Sequence, residues 1–168
     1  MRNKQRSITQ FKSDLNLKAF SIVIFIIRIA MGWLMLEAGL RKLLSGDFSA
    51  ESFLTRAAGP FANLFHSLAN NTSILPLINN LVMWGELAIG IALVLGILIR
   101  FTSFWGAVMM LLYYLTSLPP ATGWITQQVI FILIFIMFMV TGVGYLLGID
   151  SFARKYEIDR HWFRFLLG

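Results

Sequence analysis

Four apolar stretches of this chain are each long enough to cross a lipid bilayer as a helix, and this feature constrains its fold most. A hydrocarbon core about 30 Å thick requires about 20 helical residues. Hydrophobic residues make up 58% and charged residues 13% of the 168 residues, too apolar a balance for a soluble domain of this size. The predicted spans are residues 19–40, 77–98, 101–118 and 125–147. The sequence therefore predicts an all-α integral membrane protein, folded as a four-helix bundle.

The predicted spans leave no stretch of domain size, so we expect one four-span membrane domain over residues 1–168. Residues 1–18 and 149–168 form basic tails, and residues 45–76 form the one long connection. The first apolar run is longer than the core of a signal peptide and lacks an A-x-A-like cleavage site. We therefore interpret it as a retained signal anchor.

The connection over residues 45–76 is too apolar to be a simple solvated loop. Ser49 can cap a short helix with Glu51 in its first turn, where the helix dipole favours an acid. Four apolar residues then recur at the spacing of one helical face. They are Phe61, Leu64, Phe65 and Leu68. We predict an outer-face interfacial helical segment between spans one and two, which either covers the bundle or acts as a lid over a cavity.

The positions of the basic residues predict the orientation in the membrane. The formal net charge of +6 could suggest nucleic acid, but the basic residues gather near the two chain ends. With four spans, both tails and Arg100 share one face, whereas Arg41, Lys42 and Arg56 belong to the other. Cytoplasmic segments carry the excess of Lys and Arg. We therefore predict a multi-pass protein of the cell membrane with both termini in the cytoplasm, and no nucleic-acid partner.

The composition also restricts cofactor chemistry. The chain has no cysteine, which excludes disulfides and thiolate-ligated clusters. His66 and His161 lie outside the predicted spans, so two histidines cannot hold a haem within the bundle. We recognise no metal-ligand cluster, and we expect no intrinsic cofactor. Any redox role would borrow its electron carrier.

Small residues predict how the helices pack. Gly32 and Gly39 in span one, and Gly85, Gly90 and Gly96 in span two, allow close backbone approach, which drives helix association in lipid. Residues 119–120 are both proline and end span three, since proline lacks an amide donor and clashes with the preceding turn. Adjacent spans are therefore antiparallel neighbours in a compact bundle.

Three ionisable residues lie inside predicted spans: Arg28, Glu37 and Glu86. A charge at the centre of a membrane helix costs about 3 kcal/mol, so such groups pair or line a polar cavity. Estimated depths make Glu86 the natural partner of Arg28, while Arg41 at i+4 is the partner of Glu37. Two interpretations stay open. The pairs either fix helix register and nothing more, or form a catalytic site.

In the second interpretation, Arg28, Arg41 and Lys42 attract an anion while Glu37 or Glu86 handles a proton. Gln127 and Gln128, in the outer third of span four, add neutral hydrogen-bonding groups at a comparable depth. These glutamines could bind a quinone carbonyl or a neighbouring helix. The predicted catalytic residues are thus Arg28, Glu37 and Glu86, and the predicted substrate or quinone ligands are Arg41, Lys42, Gln127 and Gln128.

Five segments of the chain also resemble the DoxX/DoxD membrane protein family. They are residues 28–33, 37–43, 85–90, 95–100 and 141–150. Their order and spacing over four spans carry the resemblance, and the segment from Phe48 to Phe61 looks closer to the DoxD branch. The chain departs from the family pattern at Gln127 and Gln128, where we expect an acid or a histidine in many relatives.

The resemblance implies a role in membrane redox chemistry, while the charges inside the predicted spans also allow a transport function. DoxD proteins are similar to the large subunit of thiosulfate:quinone oxidoreductase, which couples two thiosulfates to tetrathionate and passes two electrons to a membrane quinone with a small subunit, DoxA. Relatives also serve in other redox or stress-response assemblies. We expect a subunit of a membrane redox complex with an accessory or structural role and other membrane subunits as partners. The alternatives are a catalytic thiosulfate:quinone oxidoreductase subunit and a small-solute transporter.

Overall fold

The computed structural model of the chain describes residues 2–120 and 123–141, with side chains from residue 18 onward. These residues form six α-helices and no strand, so the all-α prediction is confirmed for them. The helices are α1 (Arg2–Ser45), α2 (Glu51–Thr55), α3 (Ala62–Ala69), α4 (Leu75–Leu95), α5 (Ile99–Thr116) and α6 (Gln127–Thr141). Residues 142–147 of the fourth predicted span and the second basic tail lie outside the described residues.

Two helical segments are long and apolar enough to cross a membrane, Lys18–Ser45 within α1 and Leu75–Leu95 in α4. α5 has 18 residues, and α6 has 15 within the described range. Length and composition therefore support two spans, and the four-span bundle stays a prediction.

α1 continues well beyond the predicted first span. It has 44 residues, which at 1.5 Å per residue gives a length of about 66 Å. The segment before Lys18 contains no glycine or proline and is rich in good helix formers such as lysine, arginine, glutamine and leucine. Residues 2–18 of the predicted basic tail are therefore helical and continuous with the apolar part of α1.

Glycines set the antiparallel packing of α1 against α4. A Cβ atom on Gly39 would lie 2.8 Å from the backbone nitrogen of Leu87, and one on Gly90 would lie 2.5 Å from that of Leu36. Neither approach leaves room for a side chain, so the predicted close packing of these glycines is confirmed. The two contacts also fix the register, because residue 36 lies against residue 90 and residue 39 against residue 87.

α5 packs on α6, and together with α1 and α4 these helices bury one main core. Gly106 of α5 admits the ring of Phe135 of α6, whose Cε1 would lie 2.5 Å from a Cβ at that glycine. The core residues are Ile24, Met31, Met35, Ile89, Leu93, Ile99, Met110, Phe135 and Phe138. α4 and α5 approach each other less closely than these other helix pairs.

Local signals end the helices where the sequence predicts. Gly96 closes α4 in the left-handed conformation with φ 70°, and Leu98 also has a positive φ of 48°. The α4–α5 turn is therefore only residues 96–98, followed at once by α5. α5 ends at Thr116, two residues before the predicted end at Leu118 and shortly before the proline pair at 119–120.

Residues 49–70 form a small helical cap over one end of the bundle. Ser49 Oγ accepts a hydrogen bond of 3.2 Å from the Glu51 N–H, as predicted, although Ala50 occupies the N-cap position. The cap has its own apolar cluster of Ala50, Leu54, Ala57, Phe65 and Ala69. Of the four residues predicted to share one apolar face of this segment, Phe65 is buried and Leu68 packs beside it, whereas Phe61 and Leu64 are exposed.

Candidate functional site

Glu86 lies in the interior of the bundle and holds three helices together. Its side chain on α4 is only 2% exposed. Lys42 of α1 donates from Nζ to Glu86 Oε2, and the hydroxyl of Tyr113 on α5 donates to Glu86 Oε1 at 2.6 Å. Both carboxylate oxygens are thus paired. We call Lys42, Glu86 and Tyr113 the polar junction.

The helix packing explains why these residues meet. Gly39 lies against Leu87, the neighbour of Glu86, so the end of α1 that carries Lys42 runs alongside the carboxylate. α4 and α5 form a hairpin around residues 96–98, which places Glu86 level with about residue 108 of α5, before Tyr113. Side chains lean toward the N-terminus of their helix, so Tyr113 reaches back along α5 toward Glu86.

Aromatic rings of the cap and of Phe48, the residue just before it, cover the polar junction. The Lys42 ammonium lies 5.3 Å from the ring centroid of Phe48, and Phe53 packs edge-on against the Tyr113 ring at 5.5 Å. The Ala50 N–H donates to Asn79 Oδ1 of α4 at 2.8 Å, which anchors the start of α2. The junction is consequently closed on the cap side, with the Lys42 side chain 21% exposed.

The predicted pairing of Arg28 with Glu86 is wrong. Arg28 is fully buried and its guanidinium lies 5.0 Å from the ring centroid of Phe25, while both Glu86 oxygens bind other residues. In the observed register, Glu86 is level with about residue 40 of α1, and the twelve-residue offset from Arg28 corresponds to about 18 Å along the helix. The predicted depths assume that α4 begins level with the end of α1. In the structure α4 begins beyond that end, and its first turns pack against the cap.

The predicted pair of Glu37 with Arg41 is confirmed. Arg41 Nη2 lies 2.9 Å from Glu37 Oε1 within α1. The Arg41 side chain is 74% exposed and the Glu37 side chain 44% exposed, so this pair is not part of the buried polar junction. Arg41 and Lys42 are adjacent in sequence but serve different carboxylates, because successive helical residues point about 100° apart.

The two predicted glutamines are the first two residues of α6. Gln127 is exposed and Gln128 is half-buried. The structure gives neither of them a hydrogen bond to Lys42, Glu86 or Tyr113, whose mutual contacts are given above. Their predicted role in binding a quinone stays a prediction.

A long apolar groove runs between α4 and α5. Its volume is about 630 Å³, and its walls come from α4, α5 and the cap. Tyr113 and Gly85 belong to the wall, which places the groove directly beside the polar junction. None of the seven predicted site residues lines it. Within residues 2–120 and 123–141, no cluster of histidine, aspartate and glutamate could hold a metal ion.

Sequence reasoning missed Tyr113 and the groove. Tyr113 lies near the predicted end of span three, where a tyrosine ordinarily indicates only an anchor at the membrane boundary, whereas the structure pairs it with Glu86. The short α4–α5 turn was visible in the sequence and could have placed Tyr113 near Glu86. The groove had no sequence signal, because its lining residues resemble those of any apolar helix face.

The chain matches a known protein family. The family described as DoxX matches residues 23–118, which is more than half of the chain. The match runs from the apolar part of α1 through the cap to the end of α5 and includes the whole polar junction. No curated protein matches the chain, and neither does any solved structure.

Proposed function

The chain belongs to the DoxX family and is a membrane protein of the DoxX type, and we propose that it is an accessory subunit of a membrane redox complex. In this proposal the bundle assembles with other membrane subunits that carry the electron-transfer cofactors. A narrower form of the same proposal places the chain in the DoxD branch, with a DoxA-like small subunit as its partner.

We further propose that α1, α4, α5 and α6 each span the cell membrane, with both termini in the cytoplasm. The outward faces of α5 and α6 support this arrangement, because they expose large apolar side chains such as Phe104, Leu111, Leu133 and Val140. Apolar faces of that extent mark contact with lipid or another protein. The bias of lysine and arginine toward the proposed inner face supports the orientation.

The observation that carries the accessory role is the internal pairing of the cations. Arg41 is bound to Glu37, and Lys42 to Glu86. A site that attracts a dianion such as thiosulfate needs uncompensated positive charge, and each of these cations already has a carboxylate partner. The contacts therefore support a junction that fixes three helices and the cap. They weigh against the competing proposal of a catalytic thiosulfate:quinone oxidoreductase subunit.

The test separates assembly from catalysis with a matched pair of variants. Glu86→Gln alters the buried junction, and Glu37→Gln alters the exposed pair. Native membranes are solubilised in mild detergent, and co-purifying subunits, bound quinone and thiosulfate-dependent quinone reduction are measured for each chain. An accessory role predicts less complex with Glu86→Gln and no change with Glu37→Gln, while the activity per assembled complex stays constant.

Two results would count against the proposal. If the chain purifies alone from native membranes and no other subunit accompanies it, an accessory role has no basis. If the amount of complex is unchanged with Glu86→Gln but thiosulfate-dependent quinone reduction per complex falls, the junction belongs to a catalytic site.

A further inference from the structure

We propose that the outward side of α1 is an interface between two copies of this chain, packed about a two-fold axis along the membrane normal. This inference rests on the proposed spanning of the membrane by α1 and α4. Both copies then have the same orientation in the membrane, so their α1 helices run parallel. We call this surface the α1 stripe, and its members are Ile26, Ala30, Trp33, Glu37, Leu40 and Arg41.

The α1 stripe points away from the rest of the bundle. Its first five members recur at spacings of four and three residues, which keeps them on one side of a helix. Trp33 is 62% exposed and Ile26 58%. Met31, two residues before Trp33 and therefore about 160° around the helix, is buried in the core. The stripe is thus the side of α1 that the chain itself leaves uncovered.

Two charges distinguish the α1 stripe from a surface built for lipid alone. The glycine contacts between α1 and α4 place Glu37 level with about residue 89 of α4, and Arg41 with about residue 85, the midpoint of α4. Both side chains are exposed there, the arginine by 74% and the glutamate by 44%. Charges at membrane depth almost always face protein or a water-filled cavity. The outward position of this pair therefore indicates that protein covers the stripe.

A second copy of the chain supplies the matching charges. The contact of Arg41 with Glu37 joins one guanidinium nitrogen, Nη2, to one carboxylate oxygen, Oε1. A guanidinium has five N–H donors and a carboxylate about four acceptor positions, so each group has the capacity for another partner. Across a two-fold axis beside the stripe, Arg41 of one copy meets Glu37 of the other, and symmetry forms the reverse contact.

The spacing of the two charges suits this exchange. Glu37 and Arg41 are four residues apart, about 6 Å along the helix, a distance that the long arginine side chain spans between parallel helices. The four groups form a ring of alternating charge that is closed within the dimer. No third chain is needed to pair any of them, which favours a second copy over a different subunit.

The apolar part of the α1 stripe is also self-complementary. Ala30 lies in a shallow notch of about 420 Å³, whose other walls are Phe25, Ile26, Ile29 and Trp33. Side chains lean toward the N-terminus of their helix, so in a parallel pair the Trp33 ring of one copy lies level with the notch of the other. Van der Waals packing of this kind drives helix association in lipid.

Charge reversal tests the ring in liposomes, where no detergent competes for the stripe. Glu37→Arg leaves only basic groups on the ring and Arg41→Glu only acidic ones. Like charges that face each other repel, so we expect each variant alone to dimerise at least about tenfold more weakly than the unaltered chain. A mixture of the two variants should dimerise again, since one supplies the cations and the other the carboxylates.

Association is measured by energy transfer between dye-labelled chains at several protein-to-lipid ratios, and equal helical content of all chains is the control. Dimerisation that the single variants leave unchanged, or that mixing does not restore, overturns the ring of charges.

Trp33→Ala tests the apolar contact in the same assay. Trp84→Ala is the matched control, because Trp84 is 57% exposed on α4, outside the stripe. We expect the first variant to dimerise more weakly and the second to dimerise like the unaltered chain. Equal association of the two variants contradicts the proposed packing.

A single introduced thiol identifies the occupant, because the chain has no cysteine of its own. Equivalent residues of parallel helices face each other across a two-fold axis, so a short bismaleimide should link two copies of Ile26→Cys in native membranes. Leu133→Cys, on the outward face of α6, is the control and should give no such product. A product of twice the chain mass with Ile26→Cys alone supports the proposal. A conjugate with a different protein, or no conjugate, overturns it.

Co-purification of other subunits is measured on the same membranes, which separates this inference from the accessory role. If other subunits co-purify but Ile26→Cys yields no linked pair, only the α1 interface fails. If the linked pair forms and no other subunit co-purifies, the accessory role fails and the interface stands.

Discussion

Removing the charge of Lys42 should destabilise the protein by about 3 kcal/mol, at the lower end of the range for breaking a buried ion pair. Lys42→Met keeps most of the side-chain volume but leaves the Glu86 carboxylate, 2% exposed, without its cation. The lower end applies because the Lys42 side chain is 21% exposed, so water can reach the site, and because Tyr113 still donates to the other carboxylate oxygen.

Equilibrium unfolding in mixed micelles measures this change, with helical content recorded as the fraction of denaturing detergent rises. Arg41→Met is the matched control, because it breaks the exposed pair with Glu37 and should cost less than about 1 kcal/mol. Adding Glu86→Leu to Lys42→Met removes the uncompensated charge and should recover most of the lost stability. The reasoning is refuted if Lys42→Met costs no more than Arg41→Met, or if the second substitution lowers stability further.

Three further predictions concern the same part of the fold. Tyr113→Phe removes one hydrogen bond to a charged group and should lower the free energy of unfolding by about 1.5–3 kcal/mol. The change is measured in the same micelles, and an unchanged free energy would show that this bond is not stabilising. Gly90→Ala should cost about 1–3 kcal/mol of stability by overpacking, because the new Cβ meets the backbone of α1. Gly85→Ala is the control and should be tolerated, because its Cβ meets only the flexible end of a methionine. Equal thermal stability of the two variants would contradict this packing. Asn79→Ala removes the acceptor of the Ala50 N–H and should raise amide hydrogen exchange in residues 49–57 without affecting α5. Unchanged exchange in residues 49–57 would contradict the role of Asn79 in anchoring the cap.

Helix positions followed closely from the sequence because their signals are local. The second predicted span, residues 77–98, corresponds to α4 (Leu75–Leu95), and the third, residues 101–118, to α5 (Ile99–Thr116). Apolar runs, one glycine at the turn and two prolines determine these bounds. The beginning of α1 was less predictable, since a polar segment with good helix formers continues the helix without any apolar signal.

The pairing in the site was harder to predict because it depends on the offset between helices. Glu37 and Arg41 are one turn apart on α1, so their contact follows from helix geometry alone. The partner of Glu86 depends on how far α4 extends past the end of α1, and the cap sets this offset through contacts between residues distant in sequence. Glycines at 39 and 90 held the missing information, since matching them fixes the register that brings Lys42 to Glu86.

The sequence separations within the polar junction have a consequence for biosynthesis. Lys42 precedes Glu86 by 44 residues, and Glu86 precedes Tyr113 by another 27. At about 5–20 residues per second, the ribosome therefore needs several seconds after making Lys42 to supply its counter-ion. In the proposed four-span arrangement, the Lys42 ammonium at the end of α1 would remain near the membrane surface during that interval, until the carboxylate of α4 reaches it. In the same arrangement, the polar junction forms only once α4 and α5 have both been made and have packed against α1.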